Sequence, residues 1–231
     1  MKISDGISII IPSFNEGENL LSLLNFLKNV KLLKFEIIIV DGGSDNKSCS
    51  LFKNYKDVIL INSKRGRAKQ LNLGARKAKY NWLYFLHADS ELPGEFENLI
   101  SKSLGNINQA SCFRLKFKPT NLLLSMSSKA TKYNNIFCRG GDQSLLIHKD
   151  LFFSCGGYDE RYRVCEDINL IAKVYSIGKF KIMNGDIITD SRRFLKNGTL
   201  KLLIHFGIIH LLHHLKLRPN YLYRYYKFFI K

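Results

Sequence analysis

Several features that would point to common protein classes are missing from this 231-residue chain. Its cysteines are odd in number, widely spaced and without a C-x-x-C pair, so neither a disulfide framework nor a zinc site is indicated. The first residues lack the apolar stretch of about 7–15 residues that marks a signal peptide. We therefore expect a reduced, cytoplasmic protein. The sequence shows no recurring period and no low-complexity tract, which argues against repeat arrays and disorder.

Acidic residues are also scarce, since 36 Lys and Arg stand against 19 Asp and Glu, a net charge of +17. No acidic residue follows Asp190, whereas nine lysines and arginines do. A chain this basic suits a nucleic acid, an anionic membrane surface or a phosphorylated substrate as partner. A compositional bias toward lysine explains the bulk of the charge equally well, but not the acid-free end of the chain.

The first half of the chain alternates between strand and helix patterns. Residues 7–11 form a β-branched run that ends at Pro12, as in a strand buried on both faces. Leucines recur at helical spacing over residues 20–27, and a second helix is predicted over residues 68–78. Further apolar strands are predicted over residues 35–40, 58–61 and 82–86. This alternation predicts an α/β fold, a Rossmann-like and mostly parallel sheet flanked by helices.

The second half is less regular, with a predicted strand over residues 110–117 and a predicted helix over residues 166–177. No linker-like segment interrupts residues 1–190, which we expect to form one catalytic domain. Residues 200–217 are mostly apolar but contain two lysines and four histidines, so they make a poor membrane span. Residues 191–231 are therefore predicted to be a basic amphipathic helical tail, packed on the domain or on an anionic membrane surface.

Polar clusters follow the predicted strands at their carboxyl ends, where ligands bind in open α/β sheets. Glycines 42 and 43 allow the backbone to approach a ligand, and arginines suit phosphate groups. The same residue types also favour turns and helix caps, so a structural role stays open. The clusters are Pro12, Asn15 and Glu16 after the first strand, Asp41-Gly42-Gly43-Ser44-Asp45 after the second, and Arg65 and Arg67 after the third.

Acidic residues occur at two further positions suited to chemistry. Asp89, in the segment His87-Ala88-Asp89 after the fourth strand, can hold a divalent cation that bridges a diphosphate. Glu166 and Asp167 open a predicted helix, where they suit a general base or simply favour the helix start. The pair Arg192-Arg193 either neutralises a leaving diphosphate or begins the basic tail.

In combination and in this order, these segments resemble the family-2 inverting glycosyltransferases with the nucleotide-diphospho-sugar transferase (GT-A) fold. The resemblance spans roughly residues 7–220. Within the family, three segments are similar to the radical-SAM/selenodomain-associated transferases: Arg65-Gly66-Arg67-Ala68-Lys69-Gln70-Leu71-Asn72, Leu86-His87-Ala88-Asp89-Ser90 and Ser191-Arg192-Arg193-Phe194. The segments that carry the wider resemblance are Ile9-Ile10-Ile11-Pro12-Ser13-Phe14-Asn15-Glu16, Ile39-Val40-Asp41-Gly42-Gly43-Ser44, Asn72-Leu73-Gly74-Ala75, Phe85-Leu86-His87-Ala88-Asp89 and Glu166-Asp167.

The resemblance implies inverting transfer of a sugar from a nucleotide-diphosphate donor, usually a UDP-sugar, to a hydroxyl acceptor. It implies Mn²⁺ or Mg²⁺ on Asp89, base recognition by Asp41, and Asp167, beside Glu166, as the base that deprotonates the acceptor. By the same resemblance, the nucleotide pocket is shaped by Pro12, Asn15 and Glu16. The base or phosphates are contacted by Arg65 and Arg67, and the leaving diphosphate by Arg192 and Arg193. The residues near the sugar and the acceptor are Gly141, Asp142 and Gln143. The sequence departs from the family at His87, where an aspartate is common. His87 can still donate a hydrogen bond to a ribose hydroxyl, and a buried structural role without a ligand is the alternative. Because one negative charge is missing, we expect the cation to be held less tightly.

Two other functional classes stay open at this point. A nucleotidyltransferase shares a similar sheet, but it would need a Gly-rich phosphate loop with a lysine after the first strand, which residues 12–16 do not supply. A non-catalytic protein that binds anions or nucleic acid would use the basic tail and leave Asp41, Asp89 and Asp167 without a task. We therefore expect a nucleotide sugar rather than nucleic acid as partner. A lipid-linked acceptor and peripheral contact with the inner face of the membrane remain open for the tail.

Overall fold

The computed structural model describes residues 6–31, 34–45, 55 and 58–230. Their central feature is a seven-stranded sheet with the strand order β3-β2-β1-β4-β6-β5-β7. The strands are β1 (Ile7–Ser13), β2 (Phe35–Asp41), β3 (Val58–Asn62), β4 (Trp82–Phe85), β5 (Gln109–Lys118), β6 (Leu145–His148) and β7 (Lys179–Asp190). The helices are α1 (Gly17–Leu27), α2 (Arg67–Lys77), α3 (Phe96–Ser101), α4 (Leu122–Ala130), α5 (Lys149–Ser154), α6 (Glu166–Ile177), α7 (Arg192–Asn197), α8 (Thr199–His214) and α9 (Pro219–Phe229).

The sheet is mostly parallel, as the sequence predicts. Strands β1, β2, β3 and β4 pair in parallel, and so do β5 and β7, whereas β6 runs against both of its neighbours. The chain leaves β5 at the carboxyl edge, passes through α4 and two short 3₁₀ helices (Ile136–Cys138 and Gly141–Gln143), and enters β6 from that same edge. The reversal of β6 therefore places the second 3₁₀ helix beside the end of β4 and the start of α2.

Both faces of the central strands are buried, because side chains that alternate along β1, β2 and β4 fill two separate apolar layers. On β1, Ile9 and Ile11 pack with α1 and with Phe96, whereas Ile10 packs on the other face with Leu71 and Phe85. Helix α2 lies especially close to β1. A Cβ at Gly74 would come within 2.4 Å of the Cγ2 atom of Ile10, so the backbone of α2 can approach the strand only with glycine at this position.

The predicted element boundaries are close to the observed ones. The expected helix over residues 166–177 is α6, and the other predicted strands and helices differ from the observed ones by one to three residues at their ends. Cys49 lies outside the described residues, and the four described cysteines are free thiols.

The tail predicted from residue 191 forms helices α7, α8 and α9. Ile209 of α8 and Leu222 of α9 are buried against Cys165 and Ile168 at the start of α6. Within the described residues, no helix is both long and apolar enough to cross a membrane. The inner face of α8 thus packs on the rest of the fold, while the domain boundary at residue 190 stays a prediction.

Candidate functional site

The turns after β1 and β2 are joined at the carboxyl edge of the sheet, where Ser13 pairs with Asp41. The buried carboxylate of Asp41 accepts hydrogen bonds at 2.9 Å from the backbone N–H groups of Gly43 and Ser44, and it accepts another from the Ser44 hydroxyl. Asn15 connects the two turns, because its N–H donates to Ser44 Oγ at 2.9 Å and its Oδ1 accepts from the N–H of Asp45 at 3.0 Å. Asp41 therefore fixes the shape of the turn in which it lies.

Arg65 extends over the aromatic ring of Phe14, with 3.8 Å between its Cζ atom and the ring centroid. This stacking holds a flat cationic group beside the β1 turn, as suits contacts with a base or a phosphate. Gln70 supports the same region from α2, since its Nε2 donates to the carbonyls of Ser13 at 2.9 Å and Val40 at 2.7 Å. Pro12 lies in β1, and Glu16 accepts a hydrogen bond from Asn19 at 2.9 Å.

Arg67, the first residue of α2, is the point where four elements meet. Its Nε lies 3.3 Å from Oε1 of Glu166 at the start of α6, and its Nη2 lies 3.2 Å from Nδ1 of His87 after β4. Oδ1 of Asp142, in the second 3₁₀ helix, lies 3.2 Å from the same nitrogen of His87. These four predicted site residues, far apart in the sequence, form one cluster.

Asp167 lies in the same cluster and is held by the backbone of the second 3₁₀ helix. The N–H of Gly141 donates to Oδ2 of Asp167. A Cβ at Gly141 would lie 2.8 Å from this oxygen and 2.9 Å from Nη2 of Arg67, so a larger residue there would displace the Asp167 carboxylate and the Arg67 guanidinium. Asp167, Arg67, His87 and Gly141 line one pocket, together with Tyr158 and the apolar side chains of α2 and β4.

Burial sets the charges in this cluster. Burial raises the pKa of Glu166 to about 7, with the nearby Asp167 adding to the rise and Arg67 opposing it. Burial lowers the pKa of His87 to about 3, and Arg67 lowers it further. Although desolvation opposes it, the surrounding carboxylates of Glu166, Asp142 and Asp167 raise the pKa of Arg67. At neutral pH the cluster therefore holds a charged guanidinium and a neutral imidazole.

Asp89 follows β4 and is half-buried, and the hydroxyl of Thr189 lies 3.5 Å from its Oδ2. In the part of the chain that the structure describes, no group of three or more His, Cys, Asp or Glu side chains is arranged to hold a metal ion. Mg²⁺ bound with a phosphate substrate keeps several waters and needs only one or two carboxylates from the protein. Asp89 therefore fits a cation shared with a diphosphate, and does not fit one held by the protein alone.

Three predicted site residues have their side chains in other contacts. Gln143 is buried, and its amide accepts from Arg139 at 2.6 Å and donates to the carbonyl of Cys138 at 2.7 Å. Arg192 is exposed and pairs with Asp190. Arg193 donates to the carbonyl of Ile230 at 3.0 Å. Burial raises the pKa of Asp142, and the charges of Arg67 and Arg193 oppose this rise. Their contact with a donor stays a prediction.

No sequence motif indicated that Tyr158 or two histidines of α8 belong to the site. Tyr158 lines the pocket and is fixed by Asn72, which accepts from its N–H at 3.0 Å and donates to its carbonyl at 2.8 Å. Burial lowers the pKa values of His210 and His213, and Asp167 opposes this in both. Asn72 is a polar residue within a helix, and this is the sequence feature that could have indicated its contact with Tyr158. No local pattern shows that α8 comes near Asp167.

The mostly parallel sheet with the reversed β6, with acidic and basic side chains at its carboxyl edge, is the arrangement of the GT-A fold. Residues 8–159, more than half of the chain, match the family model described as glycosyl transferase family 2. The chain belongs to this family.

Solved structures support the fold. The mannosyltransferase PcManGT from Pyrobaculum calidifontis, in complex with GDP-Man and Mn²⁺, aligns with a TM-score of 0.70 at 16% identity, covering 92% of this chain and 65% of that one. S. aureus TarS 1-349 in complex with UDP-GlcNAc aligns with a TM-score of 0.65 at 15% identity, covering 94% and 69%. At these identities the likeness shows the fold alone.

Relatives in sequence are also glycosyltransferases by name. An uncharacterized glycosyltransferase of Haemophilus influenzae is 28% identical over 181 residues, which is 73% of this chain and 61% of that protein. A poly-beta-1,6-N-acetyl-D-glucosamine synthase of Staphylococcus aureus is 34% identical over 91 residues, 37% of this chain and 22% of the synthase. The chain thus spans less than two thirds of the length of either relative.

Proposed function

We propose that this chain transfers a sugar from a nucleotide-diphosphate donor, a UDP-sugar in the first instance, to a hydroxyl acceptor with inversion, and that Asp167 is the general base. The observation that carries the proposal is the placement of Asp167 in one pocket with Arg67 and His87, at the carboxyl edge of a GT-A sheet. The closest subgroup within the family remains, in this proposal, the radical-SAM/selenodomain-associated transferases.

The donor is proposed to bind across the turns after β1, β2 and β3. Asp41 is rigidly held and nearly buried, so its carboxylate is suited to reading one base or ribose geometry. The stacked guanidinium of Arg65 and the charged Arg67 lie on the phosphate side. The two structural neighbours carry donors with different bases, and uracil rests on the family resemblance.

Asp89 is the proposed residue that holds Mn²⁺ or Mg²⁺ together with the donor diphosphate. Such a cation offsets the negative charge on the departing nucleoside diphosphate. His87 adds no negative charge to the site, because its imidazole is neutral at neutral pH. We therefore expect weaker cation binding than at a site with two carboxylates, and a larger share of charge neutralisation by Arg67.

The proposed chemistry is a single displacement at the anomeric carbon. The backbone N–H of Gly141 donates a hydrogen bond to Oδ2 of Asp167, which leaves Oδ1 to accept the proton of the acceptor hydroxyl. The acceptor oxygen attacks C1 from the face opposite the diphosphate, and the bonding electrons of the C1–O bond leave with the nucleoside diphosphate. In this proposal the charged guanidinium of Arg67 faces the diphosphate, where it would stabilise the transition state more than the ground state.

A screen for nucleotide-sugar hydrolysis, with and without Mn²⁺, tests the proposal without knowledge of the acceptor, because water replaces the acceptor hydroxyl. We expect release of UDP from at least one UDP-sugar, faster with Mn²⁺, and binding of UDP by isothermal titration. No binding of UDP with or without Mn²⁺ contradicts the proposal and leaves the anion-binding alternative.

A further inference from the structure

Helix α8 is apolar on two opposite faces, and the residues that the structure describes cover only one of them. Leu202, Ile209 and His213 on the inner face are buried, and Ile209 packs on the start of α6. The other face carries a continuous row of aliphatic side chains that are between 36% and 64% exposed. We call this row the outer stripe; it consists of Leu200, Ile204, Ile208, Leu211 and Leu215.

The spacing of the outer stripe is 4, 4, 3 and 4 residues, which keeps its members on one side of a helix. Single exposed leucines are ordinary on protein surfaces, but a contiguous apolar row marks a contact with a partner or a membrane. The exposed aromatic rings of Tyr221 and Phe228 on α9 add apolar surface in the same part of the chain. Aromatic rings of this kind are enriched at membrane interfaces.

Charge distinguishes between the candidate partners. Lys201 and Lys216 are exposed and directly follow the first and last members of the outer stripe, and no acidic residue occurs after Asp190. A second copy of the chain would bring an equally acid-free basic tail against this one, which is unfavourable. An anionic lipid surface complements both the apolar row and its basic flanks.

We propose that the outer stripe docks this protein on an anionic membrane surface, with α8 lying in the plane of the interface. The inner face of α8 packs on Cys165 and Ile168, the residues on either side of the Glu166-Asp167 pair. The docked surface therefore lies on the side of the candidate base. If the proposed function holds, on which this last step rests, the hydroxyl acceptor is membrane-borne.

Co-sedimentation of the full chain with vesicles tests the docking without any nucleotide sugar, so its failure is distinct from failure of the proposed activity. We expect binding to vesicles of phosphatidylcholine with phosphatidylglycerol, and little binding to phosphatidylcholine alone. The double variant Ile204→Gln/Leu211→Gln should bind about tenfold more weakly, because two half-exposed aliphatic side chains no longer enter the interface. Its control is Ile177→Gln, which removes an equally exposed isoleucine (57%) from the end of α6 that lies away from the site and should bind as the wild type does.

A second variant tests the electrostatic part. Lys201→Gln/Lys216→Gln should weaken binding by roughly fivefold per lysine at low salt and less at high salt. Both double variants change exposed side chains, and their thermal unfolding checks that the fold is retained. Absence of binding by the wild type, equal binding by Ile204→Gln/Leu211→Gln, or a self-associated dimer in sedimentation velocity that this variant abolishes would each overturn the proposal.

Discussion

Replacement of Arg67 by glutamine should destabilise the protein in a pH-dependent way. In the wild type its guanidinium pairs with Glu166 at 3.3 Å, and the Glu166 side chain is only 6% exposed. Removing one partner of a fully buried pair costs about 3–5 kcal/mol. Since the Arg67 side chain is 37% exposed and partly screened by water, we expect about 2 kcal/mol instead. This corresponds to a fall in Tm of about 4–8 °C for a chain of this size.

The pH dependence separates loss of the ion pair from loss of packing. The pKa of Glu166 is raised to about 7, so this carboxyl is ionised at pH 8 and mostly protonated at pH 5. Thermal unfolding should therefore show a larger loss for Arg67→Gln at pH 8 than at pH 5. The control is Arg161→Gln, which removes an exposed pair with Asp159 and should leave Tm nearly unchanged at both pH values. An equal loss at pH 5 and pH 8 would refute this reasoning.

Two further predictions concern the same cluster. Gly141→Ala should reduce donor hydrolysis at least about tenfold, because its Cβ would lie 2.8 Å from Asp167 Oδ2 and would displace this carboxylate. The control is Gly140→Ala, which should retain the wild-type rate because no described atom lies within 4 Å of its Cβ. The pKa of Glu166 is raised from its ordinary value of 4.5 to about 7. This difference stabilises the folded state below about pH 4.5, and the stabilisation is lost as the pH rises through about 7. Glu166→Gln should therefore gain stability relative to the wild type between these pH values in urea unfolding, and a constant difference would contradict the assignment.

Local patterns were sufficient for five of the seven strands and for the turns that follow β1 to β4, but they predicted neither β6 nor β7. A strand covered on both faces needs an apolar side chain at every position, so the run over residues 7–11 predicts β1 directly. Because β1 and β2 are parallel neighbours, the turns that follow them lie side by side. The meeting of Arg67 with Glu166 and His87 follows less directly. It depends on the crossover before β6, which no periodicity reveals.

The second half of the site and the tail were harder to predict, for physical reasons. Gln143 occurs beside Gly141 in the sequence, but a 3₁₀ turn directs its amide toward Arg139 and away from the pocket. Helix α8 is apolar on two opposite faces, so its sequence does not tell which face packs on the fold. Only the position of Ile209 against Ile168 decides that, and it brings His210 near Asp167 as a consequence.

The most direct test of the central claim is the rate of nucleotide-sugar hydrolysis by Asp167→Asn, measured beside its affinity for UDP. Asparagine keeps the size of the side chain and an oxygen for the N–H of Gly141, but it cannot take up the proton of the attacking hydroxyl. We expect a loss in rate of about 100-fold or more with unchanged UDP affinity by isothermal titration. Hydrolysis at the wild-type rate, or a loss of rate matched by loss of UDP binding, would contradict the role of Asp167 as general base.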